Sequence, residues 1–244
     1  MKKLTLTLLV TCALCTFNSA QAASAASNSA EDSLSFSFNA DFVSRYLWRG
    51  LLYSSNPNIQ PYGSISYKGF SFGAWASYGI STNYAETDLN LSYSSGSLTF
   101  ALNDYYVFRD DSLGKYNYFN CKKSKTLHDL EGSITYSDPE SFPISLTAAT
   151  FFAGNDDNNA DGKNDYSTYF EVAYTAHVSK IPLKLFVGGT PHKGLYSDAA
   201  NIVNVGINAT KKLKVSDSFE IPVFSSLVVN PYSKDMFFIF GITF

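Results

Sequence analysis

Leu34-Ser35-Phe36-Ser37-Phe38-Asn39-Ala40-Asp41-Phe42 alternates apolar and polar residues without a break. Successive side chains of an extended chain point to opposite faces, so this stretch has one oily face and one wet face. A helix would instead repeat its apolar positions every three or four residues. The same alternation recurs over residues 59–67, 70–80, 87–93, 98–108, 127–136, 144–152, 168–176, 183–189, 203–209, 219–229 and 236–244. The pattern predicts an all-β chain of about twelve strands, ten being the other even count it allows. At roughly nine to eleven residues, such strands are long enough to cross hydrocarbon when tilted.

The connections alternate in length. Residues 68–69, 94–97, 137–143, 179–182 and 211–217 are short connections. Residues 44–58, 81–86, 109–126, 154–166, 190–201 and 230–235 are mostly longer. A secreted sandwich gives no reason for this alternation. A closed antiparallel transmembrane barrel does, with its short periplasmic turns and longer extracellular loops. Tyr67, Tyr93, Tyr136 and Tyr174 fall on the oily parity near one set of strand ends. Tyr46, Trp48, Tyr78, Phe108 and Phe152 fall near the other, which predicts two aromatic girdles. The last strand alternates Met236, Phe238, Phe240, Ile242 and Phe244 up to the final residue. Phe240, Ile242 and Phe244 are therefore expected to form the signal read by the barrel-assembly machinery.

The other end of the chain reads as an export signal. Lys2 and Lys3 precede an apolar run over residues 4–17, and Ala20-Gln21-Ala22 is a small-x-small cleavage pattern. The expected organisation is a cleaved signal at 1–22, a short flexible segment at 23–33 and a barrel at 34–244. Cleavage after Ala22 leaves 16 Lys+Arg against 21 Asp+Glu, a net charge of −5. That balance argues against a nucleic-acid partner, because no basic patch is available to neutralise phosphates. Cys12 and Cys15 leave with the signal, and Cys121 then has no partner for an internal disulfide. The expected location is the outer membrane of a Gram-negative bacterium, in contact with lipid and lipopolysaccharide.

Ser44-Arg45-Tyr46-Leu47-Trp48-Arg49-Gly50 resembles an element near the start of the TorF-type porins, the Gcw_chp family. Tyr166-Ser167-Thr168-Tyr169-Phe170-Glu171-Val172-Ala173-Tyr174 is similar to a later strand of that family. The resemblance implies an outer-membrane barrel with a porin role, and it brings no catalytic site with it.

An enzyme needs a nucleophile with a base in reach. His128 lies on the oily parity beside the 109–126 loop, and His177 lies by a short turn at the opposite end. His-x-Ser-Asn-Gly does not occur, and the sequence offers no nucleophile with a base beside it, so no catalytic pair is predicted. Asp157-x-Asn159-x-Asp161-Gly162 is similar to the opening of a calcium loop, yet its twelfth position is Thr168 where a Glu is required. The segment reads as a polar outside loop, and neither metal nor cofactor is expected.

The wet face is where function is expected. Its charged members are Glu86, Asp88, Asp129, Glu131, Glu171 and Lys184, joined near the loop ends by Arg45, Arg49 and Arg109. The arginines are expected either to brace the wall against Glu86, Asp88 or Asp129, or to face them across a constriction that sets selectivity. Asp104 breaks the pattern by sharing the oily parity of Leu98, Phe100 and Leu102. A bulge at Asn103-Asp104 is expected to turn its carboxylate inward, because a charge facing lipid costs on the order of a few kcal/mol. Two functions fit these readings. One is a water-filled channel for passive diffusion of small hydrophilic solutes. The other is a plugged, non-conducting barrel with a structural or surface-binding role, its bore filled by Tyr62, Trp75, Tyr105, Phe151, Tyr169, Phe186, Phe224 and Phe237.

Overall fold

The computed structural model describes residues 33–109, 114–123, 125–138, 142–179, 181–217 and 219–244. The expected signal and almost all of the segment after it lie outside these residues. Each described element is a strand: β1(Ser35–Val43), β2(Tyr46–Trp48), β3(Leu51–Ser54), β4(Asn58–Tyr67), β5(Phe70–Gly79), β6(Tyr84–Ser95), β7(Leu98–Arg109), β8(His128–Asp138), β9(Phe142–Gly154), β10(Thr168–Val178), β11(Ile181–Thr190), β12(Asn201–Ser216), β13(Phe219–Asn230) and β14(Asp235–Thr243). β1 and β4 to β14 form a closed twelve-stranded antiparallel barrel, each strand bonded to its sequence neighbours. β1 closes the ring by pairing with both β4 and β14. The β1–β14 seam is short, running from Asp41 opposite Thr243 to Val43 opposite Gly241.

The parity of each run holds across the wall. Outward residues such as Phe36, Phe72, Leu91, Phe100, Leu146, Val172, Leu185 and Phe238 stay exposed, while their inward neighbours are mostly buried or half-buried. An apolar ring around the whole circumference is far beyond the patches that water-soluble monomers tolerate. Tyr67, Tyr93 and Tyr174 are exposed at the turn end, and Tyr78 and Phe152 at the loop end. One boundary moves. Residues 211–217 were expected to turn, but β12 continues to Ser216, paired with β13 as far as Phe219. Lys211, Lys212 and Lys214 are soluble side chains on a projecting ribbon, and the hydrogen-bond ladder overrides their polarity.

The larger correction concerns residues 44–58, expected as an outside loop. They contain a second, two-stranded sheet, β2–β3, separate from the wall. Arg49 and Gly50 both have positive φ and form its two-residue turn between Trp48 and Leu51. This is the turn geometry that suits a twisted hairpin, and Lys68-Gly69 repeats it between β4 and β5. Tyr46, Leu47, Trp48 and Arg49 are all at least 94 % buried, which no exposed loop permits. Tyr46 and Trp48 therefore do not belong to a girdle. The hairpin folds back into the bore.

Candidate functional site: a plug across the bore

Apolar side chains carry the hairpin into the lumen. The rings of Tyr46 and Trp48 pack with Tyr105, Phe151, Tyr169, Tyr196 and Val203, with Trp75 and Tyr84 at the edge. Trp48 meets Tyr105, Phe151 and Tyr196 at ring-centroid distances of 5.6, 6.3 and 5.8 Å. On the other side, Leu47 packs against Val228, Phe237, Ile239 and Phe186. The plug thus touches side chains from both halves of the wall at the loop end. Rings of this size each remove on the order of 150–250 Å² from water, so the plug is held largely by burial.

Its polar tip is held by specific bonds. Arg49 reaches across the lumen to Glu131 on β8 as a two-pronged pair, Nη1 to Oε2 at 2.5 Å and Nη2 to Oε1 at 3.1 Å. Nη1 also donates to the Tyr196 hydroxyl at 2.6 Å. The guanidinium lies over Trp48 and Tyr169, 4.4 and 4.7 Å from the ring centroids. Glu131 receives further bonds from Asn103 at 3.2 Å and the Tyr105 hydroxyl at 3.0 Å, and has no exposed surface. A charged pair this deep survives only when its remaining lone pairs and protons are satisfied, as they are here. Gly50 follows at the wall, where a Cβ would collide with the Val203 carbonyl, and Asn230 Nδ2 donates to its carbonyl oxygen at 3.1 Å.

The other expected lumen residues take separate positions. Lys184 pairs with Glu171 at 3.1 Å, and Glu171 also accepts from the Tyr169 hydroxyl at 2.8 Å. Glu86 accepts from the Tyr84 hydroxyl, and Asp88 from the Tyr106 amide at 3.3 Å. Asp129 Oδ1 is buried with no hydrogen-bond partner among the described residues. Arg45 is half-buried and Arg109 is exposed at the end of β7. Arg49 braces Glu131, not Glu86, Asp88 or Asp129 as expected. Parity placed all of these on the wet face but carried no information about which strand the returning hairpin would meet.

Below the plug the inward face turns to hydroxyls. Ser66 pairs with Ser71 at 2.9 Å, Ser94 with Thr99 at 2.9 Å, and Thr135 with Thr147 at 3.2 Å, each across neighbouring strands. Phe186 and Phe224 bring their ring tips against Gly206 and Gly241 of the adjacent strands, where any Cβ would strike the ring. Above the plug, a cavity of about 590 Å³ opens at the mouth, floored by Gly50, Leu51 and Leu52 and walled by Lys193, Tyr196, Asp198, Tyr232 and Asp235.

Asp104 contradicts the bulge expected for it. β7 runs in register past both neighbours, Asp104 opposite Leu89 and Leu130. The nearby register shift lies one strand over, between Leu130 and Glu131 against β9. Asp104 faces outward and pairs with His128, Nδ1 to Oδ1 at 2.8 Å. His128 Nε2 lies 2.6 Å from the Tyr118 carbonyl oxygen, and the rings of Tyr106, Tyr118 and His128 sit 4.8–5.0 Å apart. Residues around Tyr118 therefore fold down over the outer wall and cover the charge.

The 154–166 loop uses its carboxylates on its own backbone. Asp157 accepts from the amides of Asp161 and Gly162 at 3.0 and 2.9 Å, and Asp165 from Asn158 at 2.7 Å. Among the described residues, no three His, Cys, Asp or Glu side chains converge on a metal position.

Tyr196 is the member of the site that the sequence reading missed, since a loop tyrosine carries no periodic signal. The hairpin did leave a sign. Arg49-Gly50 repeats the Lys68-Gly69 turn and is flanked by Leu47-Trp48 and Leu51-Leu52, too apolar for an outside loop. No family model matches the chain, and no curated protein matches it. The resemblance to the TorF-type porins therefore rests on its two short motifs. Among solved structures, the chain is similar to one described as the crystal structure of Pseudomonas aeruginosa OccK5 (OpdH). The match is 12% identical, covers 88% of this chain and 67% of that one, and has a TM-score of 0.38. The closed barrel stands on its own strand pairing, and the plug on its own contacts.

Proposed function

We propose that the chain is a porin-like outer-membrane channel for small hydrophilic solutes, closed at rest by the β2–β3 hairpin. The observation that carries this reading is the contrast between wall and plug. The inward wall is polar and hydroxyl-rich towards the turn end, and what blocks it is a connection between two strands, not the wall itself. The membrane placement is supported by the continuous outward apolar ring, the two aromatic belts and the export-like leader. Glu86, Asp88, Asp129 and Glu171 supply more negative than positive charge along the path, so the open state is proposed to favour cations modestly. Phe240, Ile242 and Phe244, on the final strand, are proposed as the signal for the assembly machinery. Deleting Phe244 is expected to lower insertion in cells while refolding in detergent survives, and unchanged insertion would count against this role.

Val43 and Asn58 are paired on adjacent strands, so residues 46–54 can be replaced by a short Gly/Ser link without stretching the wall. In planar bilayers the intact protein is expected to be closed most of the time, and the shortened variant to conduct steadily. A silent shortened variant that still folds would favour the second reading, a structural barrel filled throughout. The buried bonds of Arg49 and Glu131 are the observation on which that second reading rests.

A further inference from the structure

The loop that covers Asp104 has a charge unlike the rest of the chain. Residues 109–126 hold Arg109, Lys115, Lys122, Lys123 and Lys125 against Asp110 and Asp111, a net charge of +3 in a mature chain of −5. The neighbouring 154–166 loop carries four aspartates and one lysine. Tyr118 packs edge-on against Tyr106 and His128, both on the outward parity of the wall, so this part of the loop sits outside the barrel and not over its mouth. Its conformation is built: Asn117 and Asn120 side chains accept from the amides of Phe119 and Lys122, and the Lys122 carbonyl accepts from the amides of Lys125 and Thr126. That turn presents Lys122, Lys123 and Lys125 together, all exposed. Next to Tyr118 on the outer wall, Phe119 is 86% exposed, its ring edge-on to Tyr118 at 5.5 Å.

We propose that this loop is a docking site for the phosphorylated glycolipid of the outer leaflet, with lysines on the headgroup phosphates and Phe119 among the acyl chains. The inference rests on the outer-membrane reading. An ammonium cluster fixed at the rim of an apolar belt meets an amphiphile that carries negative charge and acyl chains at the same level. A soluble anion offers only the first of these contacts. A non-specific role for the lysines in solubility would leave Phe119 in water and would not require the loop to be bonded down onto the wall.

Cys121 is exposed within the loop and is the one cysteine beyond the leader, so it can carry an environment-sensitive dye on the otherwise native chain. The full barrel, folded in non-ionic detergent, is titrated with bis-phosphorylated lipid A, with the same acylated disaccharide lacking phosphate, and with inorganic phosphate. The dye is expected to respond to the phosphorylated lipid, and inorganic phosphate is not expected to displace it. The affinity should fall about tenfold or more when Lys115, Lys122, Lys123 and Lys125 are all replaced by Gln, and by a similar factor without the lipid phosphates. Equal binding of the phosphate-free lipid, unchanged affinity in the fourfold variant, or displacement by millimolar inorganic phosphate would overturn the proposal. A gel-mobility shift on heating the same samples reports the folded barrel separately. A heat-modifiable barrel indifferent to the lipid sinks the loop proposal alone, whereas a detergent-independent soluble monomer sinks the membrane reading.

Discussion

Asp104 and Glu131 sit one register step apart on paired strands, yet they face opposite sides of the wall. Glu131 points into the bore and Asp104 points out of it. Each is a carboxylate in a place where an isolated charge is costly, and each is answered by a segment that returns from the loop end. The β2–β3 hairpin brings Arg49 inward to Glu131. The segment around Tyr118 folds outward over Asp104, which already has His128 beside it on β8. The difference lies in completeness. Glu131 is fully enclosed by Arg49, Asn103 and Tyr105, while the Asp104 side chain retains 22% of its surface. The inward charge of Glu131 is locked, and the outward one of Asp104 is only sheltered.

Removing the inner partner should have the larger effect. Arg49→Ala leaves Glu131 buried without its counter-charge, at a cost of about 3–5 kcal/mol to the closed plug. Trp48 should then become accessible to a soluble quencher of its fluorescence, and the bilayer conductance should rise. A variant whose Trp48 stays protected would break the comparison. On the outside, His128→Leu leaves Asp104 facing the apolar ring with only Tyr118 above it. The expected loss is about 1–2 kcal/mol, less than a cation would suffer at the same depth, read as a lower urea midpoint for folding into lipid vesicles. Replacing both members, Asp104→Leu with His128→Leu, removes the charge and the need for its partner together. That double variant should lie within about 1 kcal/mol of the native protein, because an apolar pair on this face is what the neighbouring strands already carry. A double variant as weak as His128→Leu alone would mean that the pair also serves to hold the loop.

The wall was legible because a strand's faces alternate with fixed period. Asn39, Gln60, Ser77 and Asn103 are inward where the sequence puts them, and Phe72, Leu91 and Phe100 outward. The same rule fails for what fills the bore. Parity assigns a face but not a position around the ring, so it could place Arg49 and Glu131 near a common lumen without joining them. It also misjudged Asp104. The expected bulge assumed that the backbone would yield to the charge, when a neighbouring side chain and a folded-back loop proved enough. Loops carry no period, so their return paths are recorded only in turn residues and unusual composition. Arg49-Gly50 amid apolar neighbours and the lysines of residues 115–125 are the two instances here.

The short seam carries a mechanical consequence. Ser44, the last residue before the plug turns inward, donates its amide to the Phe240 carbonyl at 2.9 Å and accepts from the Phe240 amide through Oγ at 3.1 Å. The ring is thus buckled to β14 at the root of the plug. Tension that draws the hairpin out of the bore loads Ser44 first, and with it the shortest joint in the wall. With fewer paired residues than any other joint of the ring, the β1–β14 seam is expected to yield first. In amide-exchange terms, opening should register at Ser44 and Phe240 before it reaches the centre of any other strand pair.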